Sequence, residues 1–175
     1  MVRSLIALSL MLLLSLGFTR AQSKSSLLLQ EVRKELFYST FDLEKVTKFY
    51  QKIVESGEAN ATFTAYQAAA KALIAKHTWN PLTKVSSLKN VEELLKSAVN
   101  EEKDNLEIRF LRFYIQNSIP SYLGFSKNLK EDGNILKKNI ARLSQMNLDQ
   151  GISDYIVAYI NSIDLPKMEV STPRH

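Results

Sequence analysis

Apolar residues recur three and four positions apart along most of this chain. Leu28, Val32, Leu36 and Phe37 form a first stripe. Leu43, Val46, Phe49, Tyr50 and Ile53 form a second, within "STFDLEKVTKFYQKIVESG". Asp42 is placed to cap that helix and Gly57 to end it. Phe63, Tyr66, Ala70, Leu73 and Ile74 follow in "NATFTAYQAAAKALIAKH", where the alanine run favours helix and lets a neighbour approach closely. At "WNPLTKV" Asn80 is an N-cap and Pro81 takes the first helical position, where its missing N–H costs nothing. Val85, Leu88, Val91, Leu95 and Ala98 carry this stripe to about residue 99.

"NEEKDN" is a polar turn. Asp104 is expected to open the next helix, with Glu107 three residues later completing a capping box. Pro120 stops that helix, because the residue before proline avoids the α region. Beyond it, "SYLGFSKNLKEDGNILKKNIARLSQM" reads as a short element over residues 122–130, an Asp132-Gly133 turn, and a helix carrying Ile135, Leu136, Ile140 and Leu143. The last stripe is Ile152, Tyr155, Ile156, Tyr159, Ile160 and Ile163. No alternating run or hairpin signal competes, so the pattern predicts an all-α fold of about seven amphipathic helices. Short links favour antiparallel packing, as a helical bundle or a short array.

The helix from residue 105 to 116 stands apart. On a helical wheel Asn105, Arg109, Arg112 and Gln116 share one narrow edge, while Ile108, Phe110, Leu111, Phe113, Tyr114 and Ile115 cover the remainder. A helix apolar nearly all round lies between others. Arginine tolerates such a place, because its stem packs while its fork takes a carboxylate or carbonyls. Glu107 sits opposite the polar edge, beside Leu111 and Tyr114. The capping box satisfies it; the alternative is a buried acid poised for chemistry.

"VEELLKSAVNEEKDNLEIRFLRFYIQNSIPSYLGFSKNLKED" resembles a family of small exported helical proteins of Gram-negative bacteria. The residues that carry the likeness are Glu107 to Arg112, Gln116, Pro120 and Leu123-Gly124-Phe125, within a segment that makes up about a quarter of the chain. The resemblance implies a shared helical fold and brings no activity with it. "LKNVEELLKSAVNEEKDNLEIRFLRFYI" is more loosely similar to a tetratricopeptide repeat, although "EEKDN" replaces the usual turn proline and no period of ~34 residues runs along the chain.

Composition adds a destination. Met1-Val2-Arg3 is positively charged, Leu5 to Leu16 is an uncharged apolar run, and Thr19-Arg20-Ala21 precedes a cut before Gln22. That layout predicts a signal peptide over residues 1–21, shorter in its apolar run than the ~20 residues of a membrane span. A single domain over 22–164 and a loose tail over 165–175 are expected to follow. Removing Arg3 and Arg20 takes the 23 basic residues to 21 against 18 acidic, a net +3. Export and so small a charge argue against nucleic acid. The absence of cysteine excludes disulfides, thiolate metal sites and cysteine nucleophiles, and fits the bacterial periplasm better than a small animal secreted factor.

Catalytic motifs are missing: there is no G-x-S-x-G, H-E-x-x-H, G-x-G-x-x-G or G-K-[ST]. Of two histidines, His175 is terminal and His77 reads as a helix-end residue. Trp79 is expected as a plug at a helix corner, with a ligand-facing aromatic as the alternative. Tyr114, Tyr122, Tyr155 and Tyr159 read as core tyrosines that also have the means to line a cavity. Lys127, Lys130, Lys137, Lys138 and Arg142 read as a solvated face. The expected function is therefore a non-enzymatic, exported interaction module with a protein partner and neither cofactor nor metal. The alternatives are a helical carrier of an apolar small molecule and, after it, an enzyme using Glu107 with an arginine. Arg109, Arg112, Gln116, Glu107 and Tyr114 are the candidate binding residues.

Overall fold

A computed structural model describes residues 25–37, 42–146 and 148–163. Among them are eight α-helices, one 3-10 turn and no strand. α1 covers 25–37. α2 is Leu43–Glu55, α3 Ala61–Lys76, α4 Pro81–Glu101 and α5 Leu106–Ser118. The 3-10 turn is Ser121–Leu123, followed by α6 Leu129–Lys138, α7 Ile140–Ser144 and α8 Gln150–Ser162. The all-α fold is as the periodicity predicts. The expected leader (1–21) and tail (165–175) lie outside the described residues.

Local chemistry sets most boundaries. Asp42 caps α2 by accepting the N–H groups of Glu44 and Lys45. Gly57, at φ 68°, turns the chain out of it in a conformation that favours glycine. Asn60 caps α3 and Asn80 caps α4, with Pro81 at the first position of α4. At α5 the expectation fails. The cap is Asn105, which accepts the N–H groups of Glu107 and Ile108, and Asp104 lies outside the helix. The polar edge of α5 begins with its own cap, so Glu107 is free for a tertiary partner. A second difference is Asp132-Gly133. It is not a turn but part of α6, which opens with acidic residues in its first turn, where the dipole favours them. The break comes later, at Asn139.

Two apolar cores share α5. Ile108, Leu111 and Ile115 belong to one, with Val32, Phe49, Tyr66, Leu95 and the small residues Ala65, Ala69 and Ala98. Leu106, Phe110 and Phe113 belong to the other, with Leu136, Leu143, Ile152, Ile156 and Ile160. α5 packs against α3 and α4 on one side and α6 on the other, while α8 closes on α6 and α7. This is why α5 is apolar nearly all round: it is the wall between two cores, and each of its faces is an inner face.

Candidate functional site

α5 presents three surfaces to the question of function, because its apolar faces are interrupted at the polar edge, at Glu107, and at Tyr114.

The polar edge meets α6. Asp132 is fully buried and accepts Arg109 Nη1 at 2.8 Å, Arg112 Nε at 2.6 Å and Arg112 Nη2 at 2.8 Å. Arg109 also donates to Glu131 at 2.9 Å and to the Lys103 carbonyl at 2.6 Å. Gln116 closes the edge by accepting the Asn128 N–H at 3.1 Å. The guanidinium of Arg109 holds the Glu131 carboxyl below the usual carboxylate range. Outside this network lies a pocket of about 390 Å³ lined by Arg109, Arg112 and Gln116 with Lys96, Lys103 and Glu92. Three of the five expected binding residues thus come together, with Asp132 as their organising anion.

Glu107 goes elsewhere. Its oxygens take a two-pronged pair from Arg33 of α1, at 2.7 and 2.6 Å, and the Tyr66 hydroxyl of α3 donates at 2.6 Å. Burial, and then the Glu107 charge, push the Tyr66 phenol well above its ordinary range, so it stays a neutral donor. Glu107 and the two arginines do not converge. The capping-box role expected for Glu107 is replaced by a clamp joining α1, α3 and α5.

On the same face of α5, one and two turns beyond Glu107, Leu111 and Tyr114 floor an apolar groove of about 700 Å³. Phe37 of α1, Ala72 and Leu73 of α3, Leu88 of α4 and Ile152 of α8 are among its other walls. The only charged residues among its described walls are Lys76 and Lys84, both cationic. Tyr114, Tyr122 and Tyr155 line it, so three of the four tyrosines expected as core residues with the means to line a cavity border one, and Tyr114 also packs against the second core. Tyr114 is the hub of an aromatic cluster, 4.9 Å from Tyr159 and 5.9 Å from Phe110 between ring centroids. Desolvation and the Tyr114 hydroxyl raise the Tyr155 phenol above its ordinary range. Apart from the two lysines, groove and aromatics together form an uncharged wall that carries tyrosine hydroxyls.

Trp79 corrects another expectation. It does not plug the α3–α4 corner; it is 97% exposed. His77 is the C-cap of α3 and is exposed as well. Among the basic residues read as a solvated face, Lys127 pairs with Glu92 and Lys137 donates to the Ile163 carbonyl. The sequence reading missed Arg33, Tyr66, Asp132 and the alanine wall of the groove. Glu131 and Asp132 carried a signal as paired acids in a helical first turn; the Asp-Gly sequence obscured it.

Among the described residues no group of His, Asp or Glu side chains has a metal-binding arrangement, and no helix is long and apolar enough to cross a membrane. Comparison with known protein families, with characterised proteins and with solved structures finds no match for this chain.

Proposed function

We propose that this protein is an exported, non-enzymatic helical carrier that takes one apolar small molecule into the groove between α1, α3, α4, α5 and α8. The groove carries the reading. At about 700 Å³ it falls within the range of small-molecule sites, and its walls are aliphatic and aromatic with a few hydroxyls and two lysines at the edge. Such walls suit a chain or ring system of carbon with a neutral or anionic polar end. The sequence alone favours a protein partner; the groove's size and lining favour a small molecule. No catalytic step is assigned, because the acid and the arginines that had the means to supply one are committed to partners on opposite sides of α5. Export rests on the leader layout of residues 1–21.

The test is titration of the purified chain with 1-N-phenylnaphthylamine, an apolar dye that brightens out of water. The expected result is saturable uptake of one dye per chain, displaced by a long-chain fatty acid. Ala72→Phe grows a side chain into the groove from a half-buried position. It should weaken uptake by about tenfold or more, while stability changes by less than about 1 kcal/mol because the ring enters empty space. Uptake that does not saturate, or that Ala72→Phe leaves unchanged in a folded protein, overturns the reading.

A further inference from the structure

The corner between α3 and α4 exposes what a water-soluble surface ordinarily hides. Trp79 is 97% and Leu82 82% exposed, and Tyr122 on the 3-10 turn is 84% exposed. The corner is a built one. His77 ends α3, and the Asn80 side chain takes the N–H groups of Leu82 and Thr83, with Pro81 fixing the first residue of α4. These caps hold Trp79 and Leu82 outward. Exposed apolar clusters of this kind mark interaction surfaces.

Along the chain through this corner the charge has one sign. Between Glu58 and Glu92 there is no Asp or Glu, and four lysines stand there: Lys71, Lys76, Lys84 and Lys89. Lys71 is turned inward, bonded to Asn90 and set over the Tyr50 ring. Lys76 and Lys84 flank the corner and border the apolar groove, and Tyr122 borders it too. Tryptophan and tyrosine favour the interface of a bilayer, where one end of the ring is wet and the other is not. Lysines beside them are drawn to anionic head groups.

We propose that this corner docks on a lipid bilayer containing anionic lipids. Trp79 and Leu82 enter the interface, Lys84 and Lys89 sit among the head groups, and the side of the groove bordered by Lys84 and Tyr122 opens toward the membrane. Docking itself does not depend on the carrier reading. If both hold, the groove loads and unloads at a bilayer surface, and an apolar cargo need not cross water.

Trp79 is the single tryptophan of the chain, so its emission reports this corner alone. The full chain is mixed with phosphatidylcholine vesicles and with vesicles containing phosphatidylglycerol. The apolar run of residues 5–16 has its own affinity for vesicles, so sedimentation is not the readout. Anionic vesicles should shift Trp79 emission to the blue and expose it to quenching by brominated lipid. Their apparent affinity should exceed that of neutral vesicles by about 25-fold, since Lys84 and Lys89 each contribute roughly a factor of five at such a surface. High salt should remove most of that preference. K84E/K89E should lose it, and L82S should weaken the shift on both kinds of vesicle; both variants keep residues 5–16. Trp79 emission unchanged by vesicles, or shifted equally by neutral and anionic ones, overturns the proposal. A blue shift that appears with rising protein concentration and no vesicles also overturns it, in favour of a second copy of the chain. Any of these outcomes leaves the dye titration of the groove standing as a separate result.

Discussion

Replacing Asp132 by asparagine should be among the most damaging single changes available in this fold. Asp132 is fully buried, and its two oxygens receive three N–H groups from two arginines. Asparagine keeps the volume but removes the charge and turns an N–H₂ group toward a guanidinium. Arg109 retains the Lys103 carbonyl and Glu131. Arg112 retains the asparagine Oδ1 as a neutral acceptor, and its only remaining carboxylate is Glu131, at 3.7 Å. One buried cation is therefore left nearly alone, and breaking such a pair costs about 3–5 kcal/mol. The partners kept by Arg109 place the expectation at the low end, about 3 kcal/mol. For a domain near 150 residues that corresponds to a fall in Tm of roughly 6–12 °C. Urea unfolding followed by the helical circular dichroism signal measures it, with wild type and variant compared at equal m. The double variant Arg112→Met/Asp132→Leu removes the stranded charge together with its partner, so it should be less destabilised than D132N alone. A loss below about 1 kcal/mol for D132N, or strict additivity of R112M and D132L, would refute the reasoning that this pair is buried and coupled.

Other consequences can be checked on the same apparatus. Arg33→Met strands the buried Glu107 and should cost about 3 kcal/mol. Tyr66→Phe removes one of its three hydrogen bonds and should cost about 1 kcal/mol. Asn105→Ala should cost about 1 kcal/mol through loss of the α5 cap, whereas Asp104→Ala should be near neutral; the reverse order would restore the capping box. Glu131 has a folded-state pKa below its unfolded value, chiefly through Arg109. Its contribution is thus present at neutral pH and lost as pH falls below the ordinary carboxylate range of about 4.3, and Glu131→Gln should flatten that part of an acid stability profile. In alkali the sign reverses. Burial raises the phenols of Tyr66 and Tyr159, so their contribution holds below about pH 10 and is lost above it. Phenolate absorbance should rise late and together with unfolding.

What could be read in the chain, and what could not, divides along physical lines. Helix class, the Asp42 and Asn80-Pro81 starts, the Gly57 stop and the polar edge of α5 are local properties, written in spacing and capping chemistry. The grouping of Arg109, Arg112 and Gln116 was legible for the same reason. Their anion was not. Asp132 lies 20 residues beyond Arg112 in a sequence that suits a turn as well as a helix. Glu107 finds Arg33 across 74 residues, and nothing in its local spacing prefers that partner to a cap. Trp79 was misplaced because apolarity predicts burial only on average, and the corner that holds it outward is a product of two caps. The groove belongs to no helix; it is space left where five helices and the 3-10 turn meet, and the alanines that read as close-packing residues partly border it.

The account turns on whether that space receives a molecule. Native mass spectrometry of the chain, purified without detergent and incubated with a slight excess of a long-chain fatty acid, tests this most directly. One added ligand mass per chain, largely absent from Ala72→Phe, is the result the account predicts. A chain that stays at its bare mass, or that takes up several copies regardless of the substitution, would contradict it.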